Sequence, residues 1–285
     1  LKMLTIVSWN IQYGKGIDGR IDLTRIAREV HSDGLPDLLC LQEVSRNYPA
    51  TDNGSDQVAE LQILFPEYES FFGASHDRSG GRDGGRRQFG NLVLTRRSPT
   101  QVLHHLLPSP ADSNAKFMYR QSTEMVFPTN SGGLRIMNTH LEFFSEKQQQ
   151  AQVQRIRELH QEACAQFREP GIDLPNTPFE LLERPEKMII CGDFNFTPDS
   201  ESYKQMTAPI PGKTPDLIDA WNTVHPDTSR VPTCGVFDHK QWEKGPHCRD
   251  YFFLSQNLSQ RIQEVSVNIK TDASDHQPIR LILEV

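Results

Sequence analysis

Met188-Ile189-Ile190-Cys191-Gly192-Asp193-Phe194-Asn195 is an apolar run that stops on a glycine and then presents a carboxylate and an amide. A short, continuous hydrophobic span bounded by a turn residue is the pattern of a strand buried on both faces. Residues 187–192 are therefore read as a core strand, with Asp193 and Asn195 at its C-terminal end. Residues 37–44 repeat the pattern and deliver Glu43. Residues 4–10 deliver Asn10, and residues 134–141 carry Asn138 and His140. Asp250 opens a strand at 250–254, and Asp275-His276 precedes a last strand at 279–285. The ends of core strands are where α/β folds place their sites. A lone Asn or Asp at such a place is usually a turn or cap residue, but so many polar endings on apolar strands call for a common explanation.

The intervening segments alternate in type. Residues 22–32 place Leu23, Ile26, Ala27 and Val30 on one helical face. Further helices are predicted at 56–64, 145–167 and 217–225, and further strands at 68–73, 91–95, 123–127 and 262–269. There is no internal repeat and no linker between two halves, so one α/β domain over residues 1–285 is expected. The Pro-rich stretch 170–185 reads as a surface excursion. The glutamines 148, 149, 150, 152 and 154 read as the polar outer face of the long helix.

Composition narrows the function classes. In 285 residues, 30 Lys and Arg face 37 Asp and Glu, a net charge of −7. That balance argues against a dedicated non-specific nucleic-acid binder. With 36% hydrophobic and 24% charged residues the chain is globular. No run approaches the ~18 apolar residues of a membrane span. Five cysteines form no disulfide framework; Cys40 and Cys191 read as small core hydrophobes. A reducing, cytoplasmic setting is expected.

The polar strand ends have a coherent chemistry. Carboxylates and amides are hard oxygen ligands suited to Mg²⁺ or Mn²⁺. Histidines near carboxylates donate to phosphoryl oxygens or move protons. A divalent ion neutralises phosphate charge and lowers the pKa of a bound water. Together these parts describe a metal-assisted phosphoester hydrolase.

Trp9-Asn10-Ile11, Gln42-Glu43-Val44, Asn138-Thr139-His140-Leu141, Gly192-Asp193-Phe194-Asn195, Arg249-Asp250-Tyr251 and Ser274-Asp275-His276 resemble, in order, the motifs of the endonuclease/exonuclease/phosphatase family. The resemblance covers nearly the whole chain. It implies a four-layer α/β sandwich: two mixed β-sheets packed face to face, with helices on the outer faces. It implies that Glu43 binds the metal, with Asn10 beside it and Asp275 helping, as one ion or two. Asp193 would orient or deprotonate the attacking water, and Asn195 would hold the scissile phosphate or a second ion. His276 would contact the phosphate with Asp250 fixing its tautomer, and His140 would stabilise developing charge. The choice of formal base between Asp193 and His276 stays open. By the same resemblance, Asn91 and Arg120 would contact substrate, Arg120 as a fork for phosphate oxygens.

The expected partner is a phosphoester, with nucleic acid and a small or lipid-derived diester both open; no protein partner is predicted. Phosphodiesters are expected ahead of monoesters. Asn10-Ile11 and Glu43-Val44-Ser45-Arg46 depart from the abasic-site endonucleases, which usually have Asn-Gly after the first motif and Thr-Lys after the Glu. A non-catalytic module on the same fold would be expected to lose ligands that are present here. Residues 77–97, rich in Gly and Arg, read as a solvated loop bordering the site. Cys234, His239, His247 and Cys248 match no zinc spacing and read as an ordinary loop, with Trp242 a residue that could flank the substrate.

Overall fold

The computed structural model describes residues 3–81 and 84–285. Twelve strands form two six-stranded sheets. The first has the order β11-β12-β1-β2-β4-β3 and the second β5-β6-β7-β8-β10-β9. Its strands are β1 Met3–Asn10, β2 Leu38–Arg46, β3 Glu69–Arg78, β4 Arg87–Thr95, β11 Ile262–Val267 and β12 Ile279–Glu284. The second sheet holds β5 Gln101–Leu106, β6 Gln121–Thr129, β7 Gly132–His140, β8 Met188–Asp193, β9 Leu217–Asp219 and β10 Asp250–Ser255.

Each sheet is mixed for the same reason. β1 and β2 run parallel, as do β7 and β8, and the other pairs are antiparallel. A parallel pair needs a long crossover. Helix α1, Leu23–Ser32, lies in the first crossover, and α4, Glu146–Arg168, in the second. The side chains of Asp22 and Ser145 cap these helices by accepting from the backbone N–H of Arg25 and Gln148.

Side-chain alternation then builds the layers. Leu4, Ile6, Leu38 and Cys40 of the first sheet pack on Ile136, Ile189, Cys191 and Phe252 of the second. The other faces, Val7, Trp9, Leu39 and Leu41, take Ile26 and Val30 of α1 and Leu61 of α3, Gln57–Leu64. On the far side Met137, Ile190 and Phe253 take Val153, Ile156 and Leu159 of α4, together with Met206 of α5, Glu201–Thr207. This is the expected four-layer sandwich.

Several details differ from expectation. The segment 217–225 is not one helix: Leu217–Asp219 is β9, and Asp219 then caps the short α6, Ala220–Val224, through the Trp221 N–H. β5, α5 and the single turn α2, Pro49–Asp52, are additional elements. Most of 77–97 is not loop, because β3 and β4 pair from Glu69↔Thr95 to Arg78↔Arg87. Arg82 and Asp83 of that stretch lie outside the described residues. Its other arginines, Arg78 apart, are engaged internally. Arg86 pairs with Asp77, Arg97 with Asp37, Arg96 donates to the Pro36 carbonyl and Arg87 to that of Ser79.

Candidate active site

The inward-facing rows that make the core change character at one edge of the sandwich. Ile189 and Cys191 lead to Asp193, Ile136 leads to Asn138 and His140, and Ile6 leads to Ser8 and Asn10. Register sets the rows against one another: His140 lies beside Asp193, and Asp193 opposite Asp250. Gly192 makes this possible. It sits at φ +144°, where a Cβ would run into the Thr139 carbonyl oxygen. Amides replace apolar contacts between the sheets here: Gln42 Nε2 donates to Asn138 Oδ1 at 2.8 Å.

Glu43 reaches the site through a β-bulge. Gln42 and Glu43 together oppose only Asn91 on β4, and Glu43 adopts φ +59°. Asn195, Gln12 and Tyr13 are also left-handed. Such conformations cost ~1–3 kcal/mol each and gather at functional sites.

Asp193 is the hub. Its Oδ2 accepts from Asn10 Nδ2 at 3.0 Å, a bond that joins the two sheets, and lies 3.5 Å from His140 Nε2 and 3.6 Å from His276 Nε2. Its Oδ1 accepts from the Asn195 N–H at 2.9 Å. Burial alone would raise its pKa, but His276, His140 and these hydrogen bonds hold it below the usual value. Asp193 is therefore ionised.

His276 Nδ1 contacts Asp250 Oδ2 at 2.8 Å, and that oxygen also accepts from Thr233 Oγ1 at 2.6 Å. Burial would lower the His276 pKa, but Asp250, Asp193 and Asp275 push it well above its ordinary value. These carboxylates favour the protonated ring, whose Nε2 lies 3.6 Å from Asp193 Oδ2. His140 is the opposite case. Burial, with the Arg120 charge adding to it, lowers its pKa to about 3. Neutral His140 accepts at Nε2 from Asn195 Nδ2 at 3.0 Å.

Glu43 and Asp275 supply hard oxygen donors. Burial and then the Asp275 charge raise the Glu43 pKa to about 7; burial also raises that of Asp275. Asn10 Nδ2 donates to Glu43 Oε1, and Gln241 Nε2 and Trp242 Nε1 donate to Asp275 Oδ2. Two mutually repelling carboxylates, Asp275 buried and Glu43 half-buried, fit a hard divalent cation. Asp193, Asp250 and His276 also converge within ligand distance of one another, but His276 Nδ1 is committed to Asp250.

These groups line a cavity of about 220 Å³ whose wall includes Arg120, Phe143, Phe144 and Trp242. Arg120 is buried; its Nε donates to Glu142 Oε2 at 3.3 Å and its Nη1 has no hydrogen-bond partner among the described residues. Asn91 is placed differently. It sits buried opposite the Glu43 bulge and donates to the Gln121 carbonyl, away from the cavity wall. Trp242 stands edge-on to the His276 ring.

The supporting residues carry little sequence signal. Glu142 Oε1 accepts from the N–H groups of Phe143 and Phe144. Gln148, Gln149 and Gln152 are buried, contrary to the expected polar outer face. Gln149 donates to the carbonyls of Glu142 and Asn195, and Gln152 donates to that of Pro108 and accepts from Glu142 N–H, so α4 fastens the site loops. A tight run of amides, which donate and accept at once, is the one signal that could have shown this. Tyr13 lies near enough to Glu43 and Asp275 for their charges to add to the upward shift that burial gives its hydroxyl. Cys234 and His247 pair with each other, Cys248 faces the Asp250 carbonyl and His239 is exposed, so these four do not converge on a metal.

Solved structures share this fold at low identity. An endonuclease/exonuclease/phosphatase from Beutenbergia cavernae matches with a TM-score of 0.69 and 19% identity, covering 100% of this chain and 72% of that one. A mannosyl-6-phosphatase from Bacteroides thetaiotaomicron matches at 0.68 and 18%, covering 99% and 100%. Truncated Caenorhabditis elegans TDP2 matches at 0.64 and 20%, covering 99% and 98%. No curated protein sequence matches. A family model spans residues 7–276, every residue of the site just described, and the chain belongs to the Endonuclease/Exonuclease/phosphatase family.

Proposed function

We propose that this protein is a divalent-metal-dependent phosphoester hydrolase that cleaves phosphodiesters ahead of monoesters by in-line attack of water. The carrying observation is geometric: Asp193 Oδ2 lies 3.6 Å from His276 Nε2 while His276 Nδ1 is taken by Asp250 Oδ2 at 2.8 Å, and the surrounding carboxylates favour the protonated ring as the two histidines favour ionised Asp193. A carboxylate held ionised accepts a proton from water, whereas an imidazolium cannot be the base. Asp193 is therefore assigned to orienting the water and taking its proton, and His276 Nε2–H to a phosphoryl oxygen. Asp250 and Thr233 hold that imidazolium in place. Arg120 Nη1 supplies a second donor to the phosphate. His140, neutral and accepting, holds the Asn195 amide rather than carrying charge itself.

Glu43 and Asp275, with Asn10 orienting Glu43, would hold Mg²⁺ or Mn²⁺. When bound, the ion supplies charge neutralisation on the phosphoryl oxygens and acidifies water.

The test is hydrolysis of bis-p-nitrophenyl phosphate and p-nitrophenyl phosphate with Mg²⁺, Mn²⁺ or EDTA. Diester cleavage should be lost in EDTA, and Asp193→Asn should lower kcat by about 10²–10⁴-fold. Undiminished turnover by a folded Asp193→Asn protein would overturn the assignment.

A further inference from the structure

Aromatic side chains are normally buried for most of their area. Four beside the catalytic cavity are not: Phe143 and Phe144, which line it, are 40% and 54% exposed, and Phe117 and Tyr119, which alternate with the lining residues Met118 and Arg120, are 49% and 45% exposed. They come from two chain segments, each adjoining a cavity residue. Phe117 and Tyr119 lead into Arg120, and Phe143 and Phe144 follow His140. Glu142 clamps the segments together. One of its oxygens takes Arg120 Nε, and the other takes the N–H groups of Phe143 and Phe144. A fully buried carboxylate thus serves to present two exposed rings.

The rings are ordered and flanked by cations. Phe117 packs edge-on to Tyr119 and Phe143 edge-on to Phe144, with centroids 5.0 and 4.9 Å apart. Lys116 Nζ lies 5.5 Å from the Phe144 centroid, and the Arg249 guanidinium lies 5.0 Å from both Phe143 and Trp242. Arg249 is held by the Asn195 carbonyl and His247, which leaves Lys116 as the cation beside the rings; an acyl chain would gain nothing from it, whereas a planar base linked to a phosphate uses both the π faces and the charge. A long duplex needs a basic track. The described arginines of 77–97 offer none, because each is tied to a carboxylate or a backbone carbonyl of the protein itself, save Arg78.

We propose, building on the hydrolase reading, that Phe143, Phe144, Phe117 and Tyr119 form a stacking platform for a nucleobase next to the scissile phosphate. The substrate is then a nucleotide ester, either free or at the unpaired end of a strand.

Calorimetry tests the platform without turnover, with Ca²⁺ in place of the catalytic ion and again in chelator. Thymidine 5′-monophosphate should bind about 5- to 150-fold more tightly than methyl phosphate, the range of one stacked base. Phe144→Ala and the double variant Tyr119→Ala/Phe144→Ala should shrink that ratio toward one. Cleavage of the dinucleotide thymidylyl-thymidine with Mg²⁺ should show a raised KM in the same variants. A short thymidine strand binding more tightly than the dinucleotide would assign the ligand to a strand end, and equal binding to a free nucleotide ester. Equal affinity for the two monophosphates, a ratio unmoved by the double variant, or tighter binding of the same strand when paired would each overturn the proposal. Failure to cleave any diester while the calorimetric ratio holds would refute the hydrolase reading and leave the platform standing.

Discussion

Glu124 on β6 is fully buried, and its carboxylate is the centre of a charged knot. It accepts from Arg184 Nε at 3.1 Å, Arg184 Nη2 at 3.0 Å and His105 Nε2 at 2.9 Å, with Arg135 Nη1 3.7 Å away. Burial alone would raise its pKa; the His105 and Arg184 bonds and the Arg135 charge outweigh burial and bring it from 4.5 down to about 2. At 1.36 kcal/mol per unit, that shift corresponds to about 3 kcal/mol of stability. Because the folded pKa lies below the unfolded one, this contribution is full above pH ~4.5 and disappears as pH falls toward ~2. Glu124→Gln removes this contribution, the loss falling chiefly on Arg135, which is left buried without its counter-charge. The melting temperature at pH 7 should fall by roughly 6–12 °C. The gap between wild type and variant should hold from pH 8 to 5 and narrow progressively from pH 4.5 to 3. Thermal melts by circular dichroism across that range provide the measurement. A gap of the same size at pH 3.5 and pH 7, or a loss below about 1 kcal/mol at pH 7, would refute the reasoning.

Asp250→Asn keeps the shape of the His276 contact but removes the charge that holds the imidazolium, and should lower kcat by about 10²–10⁴-fold with a melting temperature close to wild type, read by diester hydrolysis beside a melt. Saturating Mg²⁺ should raise the melting temperature, by an amount equivalent to ~2.7 kcal/mol at a hundredfold excess over Kd, and Glu43→Gln should abolish that rise. In chelator the sign reverses. The folded pKa of Glu43 is raised to about 7, so its ionised form opposes folding at high pH, and Glu43→Gln should melt above wild type at pH 8 but not at pH 4. Gly192→Ala should destabilise strongly at all pH values, since its Cβ meets the Thr139 carbonyl and its φ disfavours a side chain; a melt within 2 °C of wild type would show that the β7–β8 pair yields more readily than its packing implies.

Core strands were legible because burial on both faces leaves an uninterrupted apolar run, as at 37–44 and 187–192. β5 was not: Gln101–Leu106 is an edge strand with His104 and His105 in it, and half-buried edges carry no such run. α5 is seven residues of mostly polar side chains, too short for a helical face to show. Two sheets facing one another cannot be read from periodicity, because the inward and outward faces of a doubly covered strand are equally apolar; the sandwich came from the motif order. Residues at strand ends were legible as a set. Glu142, Thr233 and the buried glutamines of α4 were not, since each also holds a partner far from it in sequence: Arg120 for Glu142, Asp250 for Thr233, and the carbonyls of Pro108, Pro110 and Asn195 for the glutamines. Asn91 matched a motif by its neighbourhood; it lies opposite the bulge on β2, and its amide donates to the Gln121 carbonyl of the second sheet.

Core and site share one parity along β1, β7 and β8. The positions that fill the space between the sheets and the positions that carry Asp193, His140 and Asn10 are the same alternate residues, so inserting or deleting one residue within β1, β7 or β8 would exchange hydrophobic filling and chemistry together. Such a change would erase the hydrolase and the fold in one step, which leaves no partially active intermediate for selection to act on. The connections are under no such rule. The exposed 170–182 excursion and the aromatic segments at 117–119 and 143–144 can change length or composition without disturbing parity. New specificities on this scaffold are therefore expected to arise by remodelling the rim, while the strands drift only by substitution.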